Sequence, residues 1–162
     1  MMVTIVGIGL FSCGQRPSTN SCSMKGDTTE YEIKDGKHSW ILTPQKMNLY
    51  SFLERVTCID SSFKLSVIDV KDDFPDNWIK ESDIDTLISL VYSKIKANCI
   101  INPLSSFIPF KDSAELGGYA IELIKKYRKK EKISFGTDAY PKTNEEDAKE
   151  LIDWWAKTKK TR

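Results

Sequence analysis

The chain has 162 residues, of which 40% are hydrophobic, a length that supports one hydrophobic core and is short for two domains. Its formal net charge of +1 excludes the strongly basic balance typical of nucleic-acid-binding domains. The four cysteines, at positions 13, 22, 58 and 99, show no C-x-x-C spacing, and the sequence has no phosphate-binding or calcium-binding loop. It therefore predicts neither a metal nor a cofactor.

The N-terminal segment is uncharged and apolar and ends in Leu10-Phe11-Ser12-Cys13. The leucine three residues before the cysteine and the serine immediately before it resemble the lipobox of bacterial lipoproteins. This resemblance implies that residues 1–12 are a signal peptide and that Cys13 becomes an acylated N-terminus, anchored in the cell envelope, in the periplasm or at the outer membrane. A buried N-terminal strand is the alternative. Residues 13–28 are polar and aperiodic, which predicts a flexible tether before a single domain at 29–162.

The domain begins with a predicted hairpin. Asp35-Gly36 lies between alternating residues and is a strong signal for a two-residue turn, which would pair Ile33 with His38. In that register the only histidine of the chain is a cross-strand neighbour of an isoleucine. A catalytic His38 is the alternative, although no nucleophile motif lies near it in sequence.

Apolar residues at helical spacing predict four amphipathic helices. N-terminal capping is expected at Thr43, at Ser82, in a capping box from Asp112 to Glu115, and in another that begins at Thr143. The four apolar faces are formed by Leu49, Phe52, Leu53 and Val56; by Ile84, Leu87, Ile88, Val91 and Ile95; by Leu116, Tyr119, Ala120, Leu123, Ile124 and Tyr127; and by Ala148, Leu151, Ile152 and Trp155.

Three further segments complete the predicted fold. Residues 63–70 alternate in polarity and favour a strand, with a helix as the alternative, and the two prolines within 98–109 predict an ordered, extended connection. Gly117-Gly118 inside a helix indicates close approach of another backbone, or of a ligand. The fold class is α+β, predominantly helical, with about four helices packed with a small antiparallel hairpin or sheet.

The cysteines outside the signal peptide suggest one disulfide. Cys58 and Cys99 each flank a core helix, whereas Cys22 lies in the predicted tether. In an exported protein this makes Cys58 and Cys99 the expected pair, and two buried thiols the alternative.

The segment from Asp69 to Asp85 is strongly acidic, with seven carboxylates in seventeen residues against two lysines. Binding energy at protein interfaces concentrates on aromatic side chains. A cluster of charges of one sign attracts a partner of the opposite sign. The segment therefore predicts a binding face for a basic protein. The face consists of Asp72, Asp73, Phe74, Asp76 and Trp78.

Three functions compete. The region from Trp78 to Trp155 resembles small bacterial envelope lipoproteins, some of which are immunity proteins, and this implies direct binding of a toxin or effector. The second is a hydrolase that uses a pair of carboxylates, or Ser105 or Ser106 with His38. The third is a structural or assembly lipoprotein. The shortage of recognisable catalytic motifs favours a binding protein over an enzyme.

Overall fold

The computed structural model describes residues 28–33, 37–59, 66–101, 113–135 and 140–161, with the backbone alone for 28–33, 37–40 and Ser66. Within these ranges the fold is α+β and has four α-helices, as the sequence predicts. The elements in chain order are β1 (Thr28–Ile33), β2 (Lys37–Leu42), a 3-10 turn (Pro44–Lys46), α1 (Leu49–Thr57), β3 (Ser66–Val70), α2 (Glu81–Leu90), β4 (Lys96–Ala97), β5 (Cys99–Ile101), β6 (Ala114–Glu115), α3 (Leu116–Lys129) and α4 (Glu145–Lys160). No helix in these ranges is long and apolar enough to cross a membrane.

The larger sheet has the strand order β1-β2-β3-β5 and is mixed. Strand β1 is antiparallel to β2, whereas β2, β3 and β5 are parallel. Parallel neighbours require long crossover connections, and α1 and α2 lie in these connections. Both faces of β3 and β5 are buried, at Val67 and Ile68 in β3 and at Cys99 and Ile100 in β5. The sequence predicts the antiparallel pair and favours a strand at 63–70, where the structure has β3, but it does not predict the parallel pairing. A second, small sheet pairs β4 with β6 antiparallel.

The hairpin register differs from the prediction by one residue. Ile33 pairs with Lys37, and His38 pairs with Glu32. The predicted cross-strand pairing of His38 with Ile33 is therefore wrong. The connecting residues are 34–36, one more than in a two-residue turn, and glycine also suits a three-residue hairpin loop. The Asp-Gly signal thus does not determine the loop length.

Five aromatic rings form the centre of the core, here called the aromatic cluster. The ring of Phe52, on α1, is fully buried and lies 5.7 to 5.9 Å from the centroids of four others. These partners are Phe74, Trp78, Tyr119 and Phe135. Edge-on aromatic pairs contribute about 0.5–1.5 kcal/mol beyond their buried area. The cluster therefore fastens the loops that contain Phe74 and Phe135 to α1 and α3.

A buried asparagine joins α1 to β5 and α3. The amide nitrogen of the Asn98 side chain donates to the carbonyls of Arg55 and Cys58, at 3.1 and 2.7 Å. The hydroxyl of Tyr119 donates to the carbonyl of Asn98 at 2.7 Å. Burial raises the pKa of Tyr119 well above its ordinary value, so the hydroxyl keeps the proton that it donates. Asn98 thus satisfies carbonyls at the C-terminus of α1, where the helix itself has no donors left.

The boundary between α2 and α3 differs from the prediction. Helix α2 ends at Leu90 rather than near Ile95, whose side chain is 57% exposed. The carbonyls of Ser93 and Ile95 accept from the first N–H groups of α3, at Gly117 and Leu116, each at 2.9 Å. The residues after Leu90 thus do not continue α2, and their carbonyls accept from the first N–H groups of α3 in place of a side-chain cap. The predicted capping box is wrong, because Glu115 is itself the N-cap of α3, without a side-chain cap hydrogen bond.

The other helix starts are shifted by a few residues. Thr43 precedes the 3-10 turn, and α1 begins after Asn48, whose side chain accepts from the N–H of Ser51. Lys80 rather than Ser82 is the N-cap of α2. Asn144 rather than Thr143 caps α4 and accepts from two N–H groups of its first turn. The periodicity located the helices, and neighbouring polar residues compete for each cap.

The two adjacent glycines of α3 lie against the backbone of other segments, which is the first of the two interpretations given from the sequence. A Cβ at Gly117 would lie 2.7 Å from the carbonyl oxygen of Ser93, and one at Gly118 would lie 2.4 Å from the carbonyl of Pro141. These distances are far below ordinary contact. The glycines therefore allow the segments around Ser93 and Pro141 to pack directly on α3.

The predicted disulfide between Cys58 and Cys99 is wrong. Cys99 is a buried thiol in β5, and Cys58 is disulfide-bonded. The partner of Cys58 thus lies outside the described residues. Cys99 is fully buried, and a buried thiol packs as a small hydrophobic side chain.

Glu115, at the start of α3, contacts Thr143, Lys142 and Lys94, and its ionisation makes the stability of the protein depend on pH. Its carboxylate accepts from the N–H of Thr143 at 3.0 Å and lies 3.7 Å from the ammonium of Lys142 and 3.9 Å from that of Lys94. Burial acts to raise the pKa of Glu115, but the hydrogen bonds from Thr143 and the two lysines hold it below the ordinary value of 4.5. The stabilisation is present above that value and is lost as the pH falls through the lowered pKa.

We expect Glu115→Gln to lower the free energy of unfolding at neutral pH by roughly 0.5–1.5 kcal/mol, because a charged acceptor is replaced by a neutral one. The difference from the native protein should shrink below the ordinary pKa of 4.5. Thermal unfolding measured from neutral to acidic pH tests this. The control is Glu54→Gln, at an exposed position on α1. A difference in the free energy of unfolding that stays constant with pH would contradict this role of the Glu115 carboxylate.

Candidate binding surface

The predicted binding face lies on the loop between β3 and α2. Asp72, Asp73 and Asp76 are exposed, whereas Phe74 is only 5% exposed and Trp78 is half-buried. We call the segment 72–76, with its three exposed carboxylates, the acidic ridge. Phe74 lies in the core, so the surface that a partner could meet consists of the three carboxylates and part of Trp78.

The backbone of the acidic ridge is held from beneath. The ring of Phe74 lies 4.9 Å from that of Trp78 and 6.0 Å from that of Phe135. The indole N–H of Trp78 donates to the carbonyls of Pro44 and Met47. These contacts act on both sides of Asp76. The ridge is therefore ordered before any partner arrives, which lowers the entropy cost of binding.

A further hydrogen bond holds the middle of the ridge. The side-chain amide of Gln45 donates to the backbone carbonyl of Asp73 at 2.7 Å. The carboxylate of Asp73 is left exposed to solvent. Backbone contacts thus position the ridge without neutralising its charge.

Two of the remaining acids of the segment have structural partners. The carboxylate of Asp83 accepts from the N–H of Lys80, and that of Asp85 accepts from the indole N–H of Trp155 at 2.7 Å. Asp85 also pairs with Lys159 at 2.6 Å, and the hydrogen bonds from Lys159 and then Trp155 lower its pKa. By contrast, Asp72, Asp73 and Asp76 form no ion pair with any residue that the structure describes.

Two clefts flank the acidic ridge. The first, of about 640 Å³, is open near the carboxyl ends of the parallel strands β2 and β3 and is lined by Asp69, Asp72 and Asp73, among others. The second, of about 690 Å³, contains Asp76 and Trp78 in one wall and residues of α3 and α4 in the others. We call it the aromatic cleft. The ridge therefore projects between two concave surfaces.

The aromatic cleft was not predicted from the sequence. The sequence places Trp155 on the apolar face of the fourth helix, and it is 6% exposed, whereas the neighbouring Trp154 is half-buried and lines the cleft. The basic run from Lys125 to Lys132 forms another wall. A signal was present, since this run holds six basic residues and one glutamate beside Tyr127. Only the fold brings it against the tryptophans.

Several predicted functional residues cannot be placed. Cys13, Ser105 and Ser106, with the side chain of His38, lie outside the described residues. The hydrolase that would use the serines with His38 stays a prediction. Within the described ranges, no group of three or more histidine, cysteine or carboxylate side chains could hold a metal ion.

Comparisons with known proteins give no relative from which a function could be carried over. No family model, no curated protein and no solved structure matches this chain.

Proposed function

We propose that this protein is a lipid-anchored envelope protein that binds a basic protein partner through the acidic ridge, as an immunity protein binds a toxin. The observation that carries the binding proposal is the state of Asp72, Asp73 and Asp76. All three are exposed and lack ion-pair partners in the described structure, while the backbone beneath them is fixed by Phe74 and Trp78. Charges on an ordered surface steer a partner of opposite sign and fix its orientation.

The packing of the ridge also supports a protein partner rather than a metal ion. The three carboxylates are spread along an exposed loop, and they do not converge with other ligands in the described structure. The cleft lined by Asp69, Asp72 and Asp73 offers a concave surface beside the ridge in which side chains of a partner can be buried. Such an arrangement of a charged rim with a neighbouring pocket is common at protein interfaces.

The proposed location rests on the lipobox-like sequence before Cys13, and a second observation supports it. Cys58 is disulfide-bonded. Disulfides persist in the bacterial envelope and are rare in the reducing cytosol. An exported chain with an acylated Cys13 would hold the domain near the membrane, since several acyl chains together anchor firmly.

We expect fatty-acid labelling in a bacterial host to depend on Cys13. The Cys13→Ala variant should lose the label and leave the membrane fraction, because no sulfur remains for acylation. Metabolic labelling followed by membrane fractionation tests this. Cys22→Ala is the matched control and should stay labelled. Equal labelling of native protein and Cys13→Ala would contradict the anchor.

The disulfide of Cys58 gives an independent check of the same prediction. Cys99 is a buried thiol, and an acylated Cys13 cannot form a disulfide, so we expect Cys22 to be the partner of Cys58. Peptide mapping without reduction identifies the linked peptides. A peptide that links Cys58 to Cys13 would exclude lipidation at Cys13.

Charge reversal of the ridge tests the binding proposal. We expect Asp72→Lys/Asp73→Lys/Asp76→Lys to fold normally, since all three side chains are exposed, and to lose capture of the partner that the native chain retains from envelope extract. The matched control is Glu54→Lys/Glu146→Lys/Asp153→Lys, which makes the same change in net charge at exposed positions on α1 and α4.

The comparison separates specific from general electrostatics. Loss of capture in the ridge variant with retention in the control supports the proposal. Equal retention by both variants would place the partner's site elsewhere. Equal loss would show that net charge alone governs capture.

A further inference from the structure

The aromatic cleft has the size and lining of a small-molecule site. Its volume of about 690 Å³ lies within the range of roughly 300–1,000 Å³ that ligand pockets occupy. Four aromatic residues contribute to its walls. They are Trp78 from the loop before α2, Tyr127 from α3, and Trp154 and Trp155 from α4.

The polar atoms of two of these rings already have partners. The indole N–H of Trp78 donates to backbone carbonyls at Pro44 and Met47, and that of Trp155 donates to Asp85. A ligand in the cleft would therefore meet the carbon surfaces of these rings rather than their donors. Flat aromatic surfaces favour a planar or apolar group.

The cleft carries more positive than negative charge. Four cationic side chains line it, Lys126, Arg128, Lys130 and Lys132, against the carboxylates of Asp76 and Glu131. Lys126 pairs with Glu131 at 2.9 Å, and Arg128 pairs with Glu150 on α4 at 2.6 Å.

Lys130 and Lys132 are the cations of the cleft that remain available. Neither forms an ion pair with any part of the chain that the structure describes. Arg128, although paired, lies over the ring of Trp154, 5.5 Å from its centroid. An anion entering the cleft would thus meet two lysines at the rim and a tryptophan beneath a guanidinium.

Two residues of the cleft have unusual backbone conformations. Asn77 and Lys130, on different walls, have φ angles of 56° and 55°. They are the two non-glycine residues with positive φ in the described ranges. Lys130 is the C-cap of α3, at the end where a helix commonly places glycine in this conformation. Such conformations cost about 1 kcal/mol or more and concentrate at binding sites.

We propose that the aromatic cleft binds a small anionic ligand with a planar, apolar body, whose charge lies near Lys130 and Lys132 and whose body packs against Trp154 and Tyr127. The proposal does not require the acidic ridge, because the charge contacts come from Lys130 and Lys132, although Asp76 of the ridge lines the same cleft. The concave shape favours a small molecule, whereas the exposed ridge suits a protein.

A pair of dyes tests both parts of this ligand class. The anionic probe is 8-anilinonaphthalene-1-sulfonate, and its neutral counterpart is N-phenyl-1-naphthylamine, which has the same ring system without the sulfonate. Fluorescence titration of the native chain should show tighter binding of the sulfonate. Far-ultraviolet circular dichroism and a cooperative thermal transition, retained in every variant, ensure that each protein is folded.

Two variants locate the site. Lys130→Gln/Lys132→Gln should weaken the sulfonate about fivefold or more, as expected for two lost charge contacts, and leave the neutral dye unchanged. Trp154→Leu should weaken both dyes, because it removes a flat surface. Lys157→Gln/Lys160→Gln makes the same charge change on exposed residues of α4 that do not line the cleft, and should leave both dyes unchanged.

Three results would overturn the proposal. The first is no binding of the sulfonate by the folded native chain. The second is equal affinity for the two dyes, which would make the cleft merely apolar. The third is equal weakening of the sulfonate by the cleft variant and by the α4 control, which would assign its binding to general charge.

Discussion

Replacing Phe74 by alanine is expected to lower the free energy of unfolding by about 3–5 kcal/mol, the usual cost of deleting a buried phenylalanine ring. Phe74 is 5% exposed and contacts Phe52, Trp78 and Phe135 in the aromatic cluster. Since domains are stable by only about 5–15 kcal/mol, this is a large share of the total. Chemical denaturation at neutral pH measures the change.

A second substitution at the same position separates stability from binding. Phe74→Leu retains an apolar side chain and should cost less than the alanine variant, so that the protein stays folded. If Phe74 acts only from beneath the ridge, the folded leucine variant will still bind the partner. Loss of binding by this variant with little loss of stability would show that the partner contacts the ring, as the sequence alone suggested.

The substitution Gly118→Ala is expected to destabilise the protein by about 2–3 kcal/mol, near the upper end for overpacked sites. The new methyl group would lie 2.4 Å from the backbone carbonyl of Pro141 and 2.7 Å from the nitrogen of Lys142. Backbone atoms cannot rotate away, so α3 and this segment must separate. The intrinsic helix preference of alanine, about 1 kcal/mol better than that of glycine, acts in the opposite direction.

Thermal and chemical unfolding of Gly118→Ala check this result. Lys129→Ala, at an exposed position in the last turn of α3, is the control for helix propensity and should change stability little. A Gly118→Ala protein that is more stable than the native chain would contradict the close approach.

Helical periodicity predicted the four helices because each must bury one apolar stripe. Ile84, Leu87, Leu123 and Leu151 are all buried as their spacing indicates. The boundaries were less predictable, since they depend on partners distant in sequence. Helix α2 ends early because carbonyls after it serve the start of α3. No local pattern announces such an exchange of hydrogen bonds.

The sheet was predictable only in part. Asp35-Gly36 correctly indicated a hairpin, but the loop length and therefore the pairing of His38 differ. The parallel pairing of β2, β3 and β5 joins short strands that are far apart in sequence. The main sequence signal for these strands is the buried apolar pairs Val67-Ile68 and Cys99-Ile100. Short apolar runs do not specify their neighbours.

The candidate site shows the same division. The acidic composition of residues 69–85 located an exposed ridge, but composition could not tell which acids have structural partners. Asp85 is held by Trp155 and Lys159 on α4, whereas Asp72 is exposed without an ion pair in the described structure. The aromatic cleft arises from α3, α4 and the loop before α2 together. It was therefore invisible in any single stretch of sequence.

The most direct test of the central claim is the rate at which the captured partner associates with the native chain as ionic strength increases. If the acidic ridge steers a basic partner, the association rate will fall by about tenfold or more from low to high salt. The Asp72→Lys/Asp73→Lys/Asp76→Lys variant will associate slowly at low salt and show little salt dependence, while Glu54→Lys/Glu146→Lys/Asp153→Lys will resemble the native chain. Identical salt dependence in the native chain and the ridge variant would contradict the assignment of the acidic ridge as the binding face.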